Sequence, residues 1–517
     1  MFLSRPVRIW GSVLCYFTVA IFVVAYFRPH STPTNDDTSP SRSIFGGTPK
    51  ESKQESAKTP ESTLTAPYPI DYLPFPKDEE ECERLYSHRY LDFPATHHIP
   101  YCKDGSQSSL ECFRTHRNES VCLAKRLLID QTRTEPSHHT AMQCHLRNFT
   151  VEAKADAAAA KALHGVLDVD RMPEGFFDTG VPAQLKLWDL DTTEEVMAER
   201  CGPGRTNGKW TLLVKRENHN NIFHKLLELW QAMVSLDVLQ MAIDPSTREP
   251  YLQPPDLANM QVVFTDGDAG LDDGLDDWWD MVTGKKPILQ KDMQPACLDK
   301  VVLPLAGSYS PFWAWQWVEK DCHDTFLLDA FLTRIYRFLD IEPKKHGGEG
   351  KTVVTIVDRK ERRKLRNIDA LIASAQARWP KAIFQKVDFG SISLREQVLV
   401  ARNTSVFVGL TGAAMTHILW LPEESSVAEI QAPNKRLPEA QPYAGFRNLA
   451  KMRNMHYFTA HPERREEDPG NGNEWQTGEW VDIKPGVFRT LLDAAIYAQI
   501  HKGSSPGEVL PVANIPE

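Results

Sequence analysis

Three stretches of this chain carry residue types at spacings that suit chemistry. The first is DRKERRKLRN at 358–367, where Arg359, Lys360, Arg362, Arg363, Lys364 and Arg366 follow an apolar run. Arginine forks match diphosphate oxygens and can stabilise a departing nucleoside diphosphate without a metal. A solvated helix face has the same composition, so the ligand reading needs only one or two of these guanidiniums turned inward. The second stretch is VFVGLTGAAMTHILWLP at 406–422. An apolar strand there enters a turn at Thr411, Gly412 and Ala413 and then a helix carrying His417. Free N–H groups at a helix start attract phosphate, and Gly409 with Gly412 permits close backbone approach. Glu429 follows twenty residues after Gly409, where a carboxylate can meet a ribose hydroxyl. G-x-G-x-x-G is missing, so a mononucleotide or sugar-nucleotide suits the turn better than a dinucleotide. The alternative is that the glycines serve only strand–helix packing.

The third stretch is ENHNNIFHKLLELW at 217–230. Asn221, His224 and Glu228 share one face of a helix, with His224 and Glu228 at i, i+4, while Phe223, Leu226, Leu227 and Trp230 are free to bury. Such a polar stripe can line a cleft and offer Glu228 or His224 as general base to an acceptor hydroxyl. An N-cap Asn followed by a surface His–Glu pair would look the same. A rival to all three is Asp266-Gly267-Asp268 after the apolar run QVVF, an Asp-x-Asp able to hold a divalent metal against a diphosphate. Asp168-Val169-Asp170 and Asp189-Leu190-Asp191 match that short pattern equally well.

The elements that must position these residues are most regular after the Gly-Gly-Glu-Gly run at 347–350. Strands are expected at 351–357, 382–387, 405–409 and 427–430, and helices at 365–378, 394–401 and 413–421. That alternation implies an α/β domain with a doubly wound parallel sheet, whose ligands sit outside the carboxyl ends of the strands. Earlier in the chain, 211–217 and 260–268 read as strands, 221–241 as a helix and 326–339 as an amphipathic helix.

The chain has 517 residues, 41% hydrophobic and 25% charged, enough for two domains. A net charge of -10 argues against a nucleic-acid partner. Residues 9–27 contain no charge and no proline and would span about 28 Å as a helix, close to a hydrocarbon core. With Arg5 and Arg8 before it and a poor cleavage site after it, this segment reads as a signal anchor with the body luminal. Eight cysteines lie beyond it, none in a C-x-x-C pair, which favours disulfides over zinc and leaves their connectivity open. Sequons begin at Asn118, Asn148 and Asn403. The organisation expected is a cytoplasmic tail at 1–8, the anchor at 9–27, a flexible stem at 28–70, and an acceptor-side domain at 71–345 with a loop-rich, disulfide-stapled collar. A nucleotide-sugar domain follows at 346–465, and a loop, helix and tail at 466–517.

Taken together, N-x-F-H-x-x-x-E, the Arg-Arg segment and strand-TGAAMTH-helix-strand-Glu resemble glycosyltransferase family 61. CERLY…IPYC, DDWWDMVTG and NLAKMRNMHYFT extend the likeness over roughly residues 82–495. Within the family it looks most like the O-linked N-acetylglucosamine transferases of the secretory pathway, and less closely like the xylosyltransferases. The resemblance implies a GT-B-like pair of Rossmann-like domains, a UDP-sugar donor, inversion, a glycoprotein or glycan acceptor and no obligatory metal. It implies Arg359, Arg362 and Arg363 near the donor phosphates, Gly412 and His417 at the donor turn, and Glu228 with His224 on the acceptor side. Many relatives have His-Gly where this chain has Thr411-Gly412, which removes an imidazole and keeps open a scaffold that binds glycans without turnover.

Overall fold

The computed structural model describes residues 65–73, 79–133, 139–217, 221–266, 270–271, 276–314, 317–323, 325–342, 350–431, 443–461 and 478–501. The anchor at 9–27 lies outside these residues. Among the described residues no helix is long and apolar enough to cross a membrane.

The first sheet is mixed. Its strands are β1 (His98–Pro100), β2 (Ser109–Arg114), β3 (Ser120–Ile129), β4 (Thr140–Ala141), β5 (Trp210–Val214), β6 (Met260–Phe264), β7 (Ile288–Leu289) and β8 (Ala296–Leu303). They run in the order β1-β2-β3-β8-β5-β6-β7, with β4 paired to β3. β8, β5, β6 and β7 are mutually parallel, and β3, β2 and β1 continue the sheet antiparallel. The region read as a loop-rich collar instead consists of two helices, Glu80–Tyr86 and Arg89–Thr96, followed by this antiparallel extension. Its pairing of Cys122 with Leu303 joins residues about 180 positions apart, beyond the reach of local pattern.

The second sheet comprises β9 (Val353–Val357), β11 (Ile383–Val387), β12 (Val406–Leu410), β13 (Ser426–Ile430) and β14 (His456–Ala460). All pairs are parallel, in the order β11-β9-β12-β13-β14. The chain leaves β9 towards β11 on one side and returns to β12 on the other, so the strand order reverses between β9 and β12. In such folds that reversal opens the ligand crevice at the strands' carboxyl ends. A small parallel pair, β10 (Lys364–Leu365) with β15 (Trp480–Val481), takes the residues expected to begin the next helix, which instead starts at Ile368.

Five helices frame these sheets: α1 (Ile222–Met241), α2 (Phe326–Phe338), α3 (Ile368–Arg378), α4 (Leu394–Arg402) and α5 (Pro485–Ile500). Ser393 and Glu396 form a capping box on α4, and α1 starts with the Asn221 side chain accepting from the Phe223 amide at 3.0 Å. One apolar cluster runs from Leu212 and Val214 through α1 and Trp420 to Phe407 and Val427, so the two sheets share a core. Residues 65–70, assigned by composition to the stem, are mostly exposed but touch the body at two points: the Ala66 amide donates to the Met241 carbonyl at 2.8 Å, and Tyr68 makes a second contact. Tyr68 donates to Asp92 at 2.6 Å and its ring lies 5.5 Å from that of Phe326.

All eight cysteines beyond the anchor are paired, as Cys82–Cys322, Cys102–Cys144, Cys112–Cys122 and Cys201–Cys297.

Candidate active site

The reversal between β9 and β12 brings the first two chemical stretches together. After β9 the segment 358–363 loops over the turn that follows β12. Arg363 takes a positive φ of 53°, and its Nη1 donates to the Thr411 carbonyl at 2.6 Å. Its guanidinium lies flat against Gly412, where an added Cβ would sit 2.8 Å from Nη1. Gly412 itself has φ 146°, which a side chain would strain. Arg359 Nε donates to the Arg362 carbonyl at 2.8 Å, tying the three arginines into one loop.

No carboxylate pairs with Arg359, Arg362 or Arg363 among the described residues. Burial pulls Arg359 below the ordinary guanidinium range, and burial with the charges of Arg359 and Arg362 brings Arg363 down to about 10. Arg363 Nε is buried without a partner. This is concentrated positive charge beside a glycine turn, with a donor to spare, and an anion of diphosphate type is its natural complement.

The rest of the turn is more structural than expected. Ala413 begins a 3-10 helix, Ala413–Trp420, rather than an α-helix. His417 is buried against Phe389, its Nδ1 2.7 Å from the Ala414 carbonyl and its Nε2 2.8 Å from Gln397 Oε1. Burial drives its pKa down to about 4, so it is a neutral lock between this helix and α4. Glu429 is wholly buried under the turn. Its Oε1 accepts from the Thr411 hydroxyl at 2.6 Å and its Oε2 from the Tyr457 hydroxyl. Burial pushes its carboxyl up to about 7 against those two bonds. Thr411 therefore has a local partner, and both Glu429 oxygens are engaged within the protein.

The third stretch forms a different arrangement from the one its spacing suggests. His224 pairs with Glu217 rather than with Glu228: Nδ1 lies 3.1 Å from Glu217 Oε2. Glu217 Oε1 accepts from the Ser308 amide at 2.5 Å, and its own amide donates to Glu228 Oε1. Glu228 lies beneath Gly307, where a Cβ would come within 2.9 Å of its Cγ. Burial, and then the neighbouring Glu217 charge, push Glu228 well above the carboxylate range. Glu228 thus braces Glu217, and Glu217 orients His224. The Trp313 ring stands 4.5 Å from the imidazole and Phe177 5.9 Å away. With Nδ1–H committed to a carboxylate, Nε2 is the basic nitrogen. Glu217 was absent from the expected set, although an acid directly after an apolar strand and seven residues before a histidine is a usable signal.

α1 packs against the 3-10 helix Ala413–Trp420 that follows the arginine turn, and Phe223, beside His224, lies 5.9 Å from Phe446 of the helix Gly445–Met452. Asp266 of the rival acidic motif is held by Arg216, whose Nε lies 3.1 and 3.0 Å from its two carboxylate oxygens. Asp268 lies outside the described residues, among which no cluster of three His, Cys, Asp or Glu side chains is arranged to hold a metal.

Residues 210–428 match the family model described as Glycosyltransferase 61. The chain is 24% identical over 368 residues to the EGF domain-specific O-linked N-acetylglucosamine transferase of Pan troglodytes, covering 69% of this chain and 63% of that protein. It is 26% identical over 308 residues to the Bos taurus protein of the same name, covering 57% and 54%. It is 28% identical over 166 residues to the Drosophila melanogaster one, covering 32% and 30%. The matched part thus spans less than two thirds of these relatives. The stretch matched by the family model, 210–428, contains Glu217, His224, Arg363 and Gly412.

Proposed function

Starting from its membership of glycosyltransferase family 61, we propose that this chain transfers N-acetylglucosamine from a UDP donor, with inversion, to a Ser or Thr hydroxyl of a secretory-pathway protein or to a glycan. Xylose is the alternative sugar. The observation that carries the reading is the arginine cluster at the β9/β12 reversal, where Arg363 covers Gly412 with no carboxylate against it. The two sheets, sharing a core and meeting along α1 and the 3-10 helix, are the two halves of a GT-B-like body.

In this mechanism His224 Nε2 takes the acceptor proton while Glu217 holds Nδ1–H and stabilises the imidazolium that forms. The acceptor oxygen forms its bond to the anomeric carbon from the face opposite UDP. The bond from that carbon to the β-phosphate oxygen breaks, and its electron pair leaves with UDP. Arg359 and Arg363 stabilise the charge that develops there, so no metal is obligatory. Glu228, neutral and buried, maintains the position of Glu217. The four disulfides support an oxidising compartment, and with the anchor at 9–27 they fit a type II protein of the Golgi or endoplasmic reticulum membrane.

Calorimetry with UDP, followed by transfer assays with UDP-N-acetylglucosamine and UDP-xylose in EDTA, tests the reading. An EGF domain, the acceptor in the relatives' name, is the first acceptor to offer. Absence of UDP binding would refute the enzyme; loss of transfer in EDTA would restore the metal. Glu217→Gln is expected to reduce kcat about 10- to 100-fold and to shift the acidic limb of its pH profile, where the base becomes protonated. An unaltered profile would remove His224 from the base role.

A further inference from the structure

The carboxyl ends of β5 and β6 carry a second group of polar side chains that the transfer mechanism leaves unused. Along these strands Leu212 and Val214 face α1, whereas Leu213 and Val263 face the opposite side with Val181 and Leu185. Continuing the alternation, Lys215 and Thr265 lie on that opposite side, away from Arg216 and α1. There they line a cavity of about 200 Å3 with Gln184, Trp188, Gln290 and Lys291. It is smaller than the roughly 300 to 1,000 Å3 of pockets for drug-sized ligands, a size for one small polar unit.

The walls have a particular chemistry. Gln184 is 4% exposed; its Nε2 donates to the Thr179 carbonyl at 3.0 Å, and its Oε1 is buried without a partner. Gln290 donates to the Thr140 hydroxyl at 2.8 Å, which fixes its amide. An indole offers an apolar face for the C–H side of a pyranose, and amides and hydroxyls suit ring hydroxyl groups. No Asp or Glu lines the cavity; its titratable residues are Lys215, Lys291 and His139, whose Nε2 lies 3.1 Å from the Arg133 carbonyl.

We propose that this cavity is a binding site for a single acidic sugar unit, a hexuronate, seated on Trp188 with its carboxylate between Lys215 and Lys291. The site lies on the sheet face opposite His224, so it recognises a part of a glycan other than the reacting hydroxyl.

The test is titration of the whole luminal chain, 29–517, with methyl β-D-glucuronide and with neutral methyl β-D-glucoside, followed by saturation-transfer NMR. The glucuronide is expected to bind about tenfold more tightly than the glucoside. In Lys215→Gln/Lys291→Gln that preference should vanish, and in Trp188→Ala both glycosides should lose binding. Both variants should keep their UDP affinity, which reports on folding and on the transfer site separately. Equal affinity for the two glycosides, failure of both to bind, or a preference that survives in the double lysine variant would each overturn the proposal.

Discussion

Arg216 and Arg363 each lie beyond the end of a parallel strand, and their surroundings differ in every respect. Arg216, after β5, is 1% exposed, lies over the Phe264 ring, and is held by Asp266, by Asp276 at 2.9 Å and by the Gly270 carbonyl at 2.7 Å. Asp276 also receives Lys225 at 3.3 Å. Arg363, reached from β9, has a carbonyl, a glycine and two further arginines around it. The first has its charge balanced inside the protein; the second does not. A balanced buried arginine holds a loop together. An unbalanced one beside a backbone turn stands ready for an anion from outside.

Substitutions can break this contrast. Arg216→Ala removes the partner of Asp266 and one partner of Asp276 and is expected to destabilise the fold by about 3 to 5 kcal/mol, read by chemical denaturation, before any effect on binding. Arg363→Ala should do the reverse. Transfer should fall about 10²- to 10³-fold with UDP affinity reduced, while the melting temperature holds or rises. Arg363→Lys should rescue little, because the bidentate fork is lost. If Arg363→Ala unfolded the protein and left UDP binding intact in the folded fraction, the contrast would collapse.

Glu429 decides whether the arginine turn has a hidden counter-charge. Its folded pKa of about 7 stands above the ordinary 4.5, so between these values the folded state holds a proton that the unfolded chain has released. Stability should therefore fall as pH rises through that window, by about 3 kcal/mol in all. Glu429→Gln should flatten the profile; an unchanged slope would mean that Glu429 is ionised throughout and balances the arginines from below. The smallest effect is expected from Gly412→Ala. The new methyl would strain a positive φ and displace the Arg363 guanidinium, at about 1 to 3 kcal/mol and a loss of UDP affinity measurable by calorimetry.

Much of the arginine end was legible in advance. Strands and helices from 351 to 430 follow a local apolar period, and the observed β9, β11, β12 and β13 fall within a residue or two of it. Gly412 was singled out by its place after an apolar strand, and Arg363 as one of six basic residues that the resemblance to family 61 narrowed to Arg359, Arg362 and Arg363. Their mutual contact was not, because it depends on a positive φ at Arg363 and on β10 pairing with β15, more than a hundred residues away. The His224 end was less legible. Helical spacing suggested a His224–Glu228 pair, and the fold instead slides Gly307 over Glu228 and turns Glu217 back onto the histidine. Periodicity along one helix carries no information about a loop arriving from 80 residues downstream. Glu429 shows the same limit. Strand position put it near the turn, but Tyr457 on the neighbouring strand draws its carboxyl into the interior.

The disulfide between Cys82 and Cys322 has a consequence for biosynthesis. Its partners are 240 residues apart, whereas Cys112–Cys122 and Cys102–Cys144 span 10 and 42. At roughly 5 to 20 residues per second of synthesis, Cys82 waits on the order of 10 to 50 s for its mate to be made. During that interval Cys102, Cys112 and Cys122 emerge beside it as reactive neighbours. The cysteine synthesised first of the eight thus remains exposed to wrong partners until the chain has reached α2, and faithful closure needs either rapid local pairing of the others or later reshuffling.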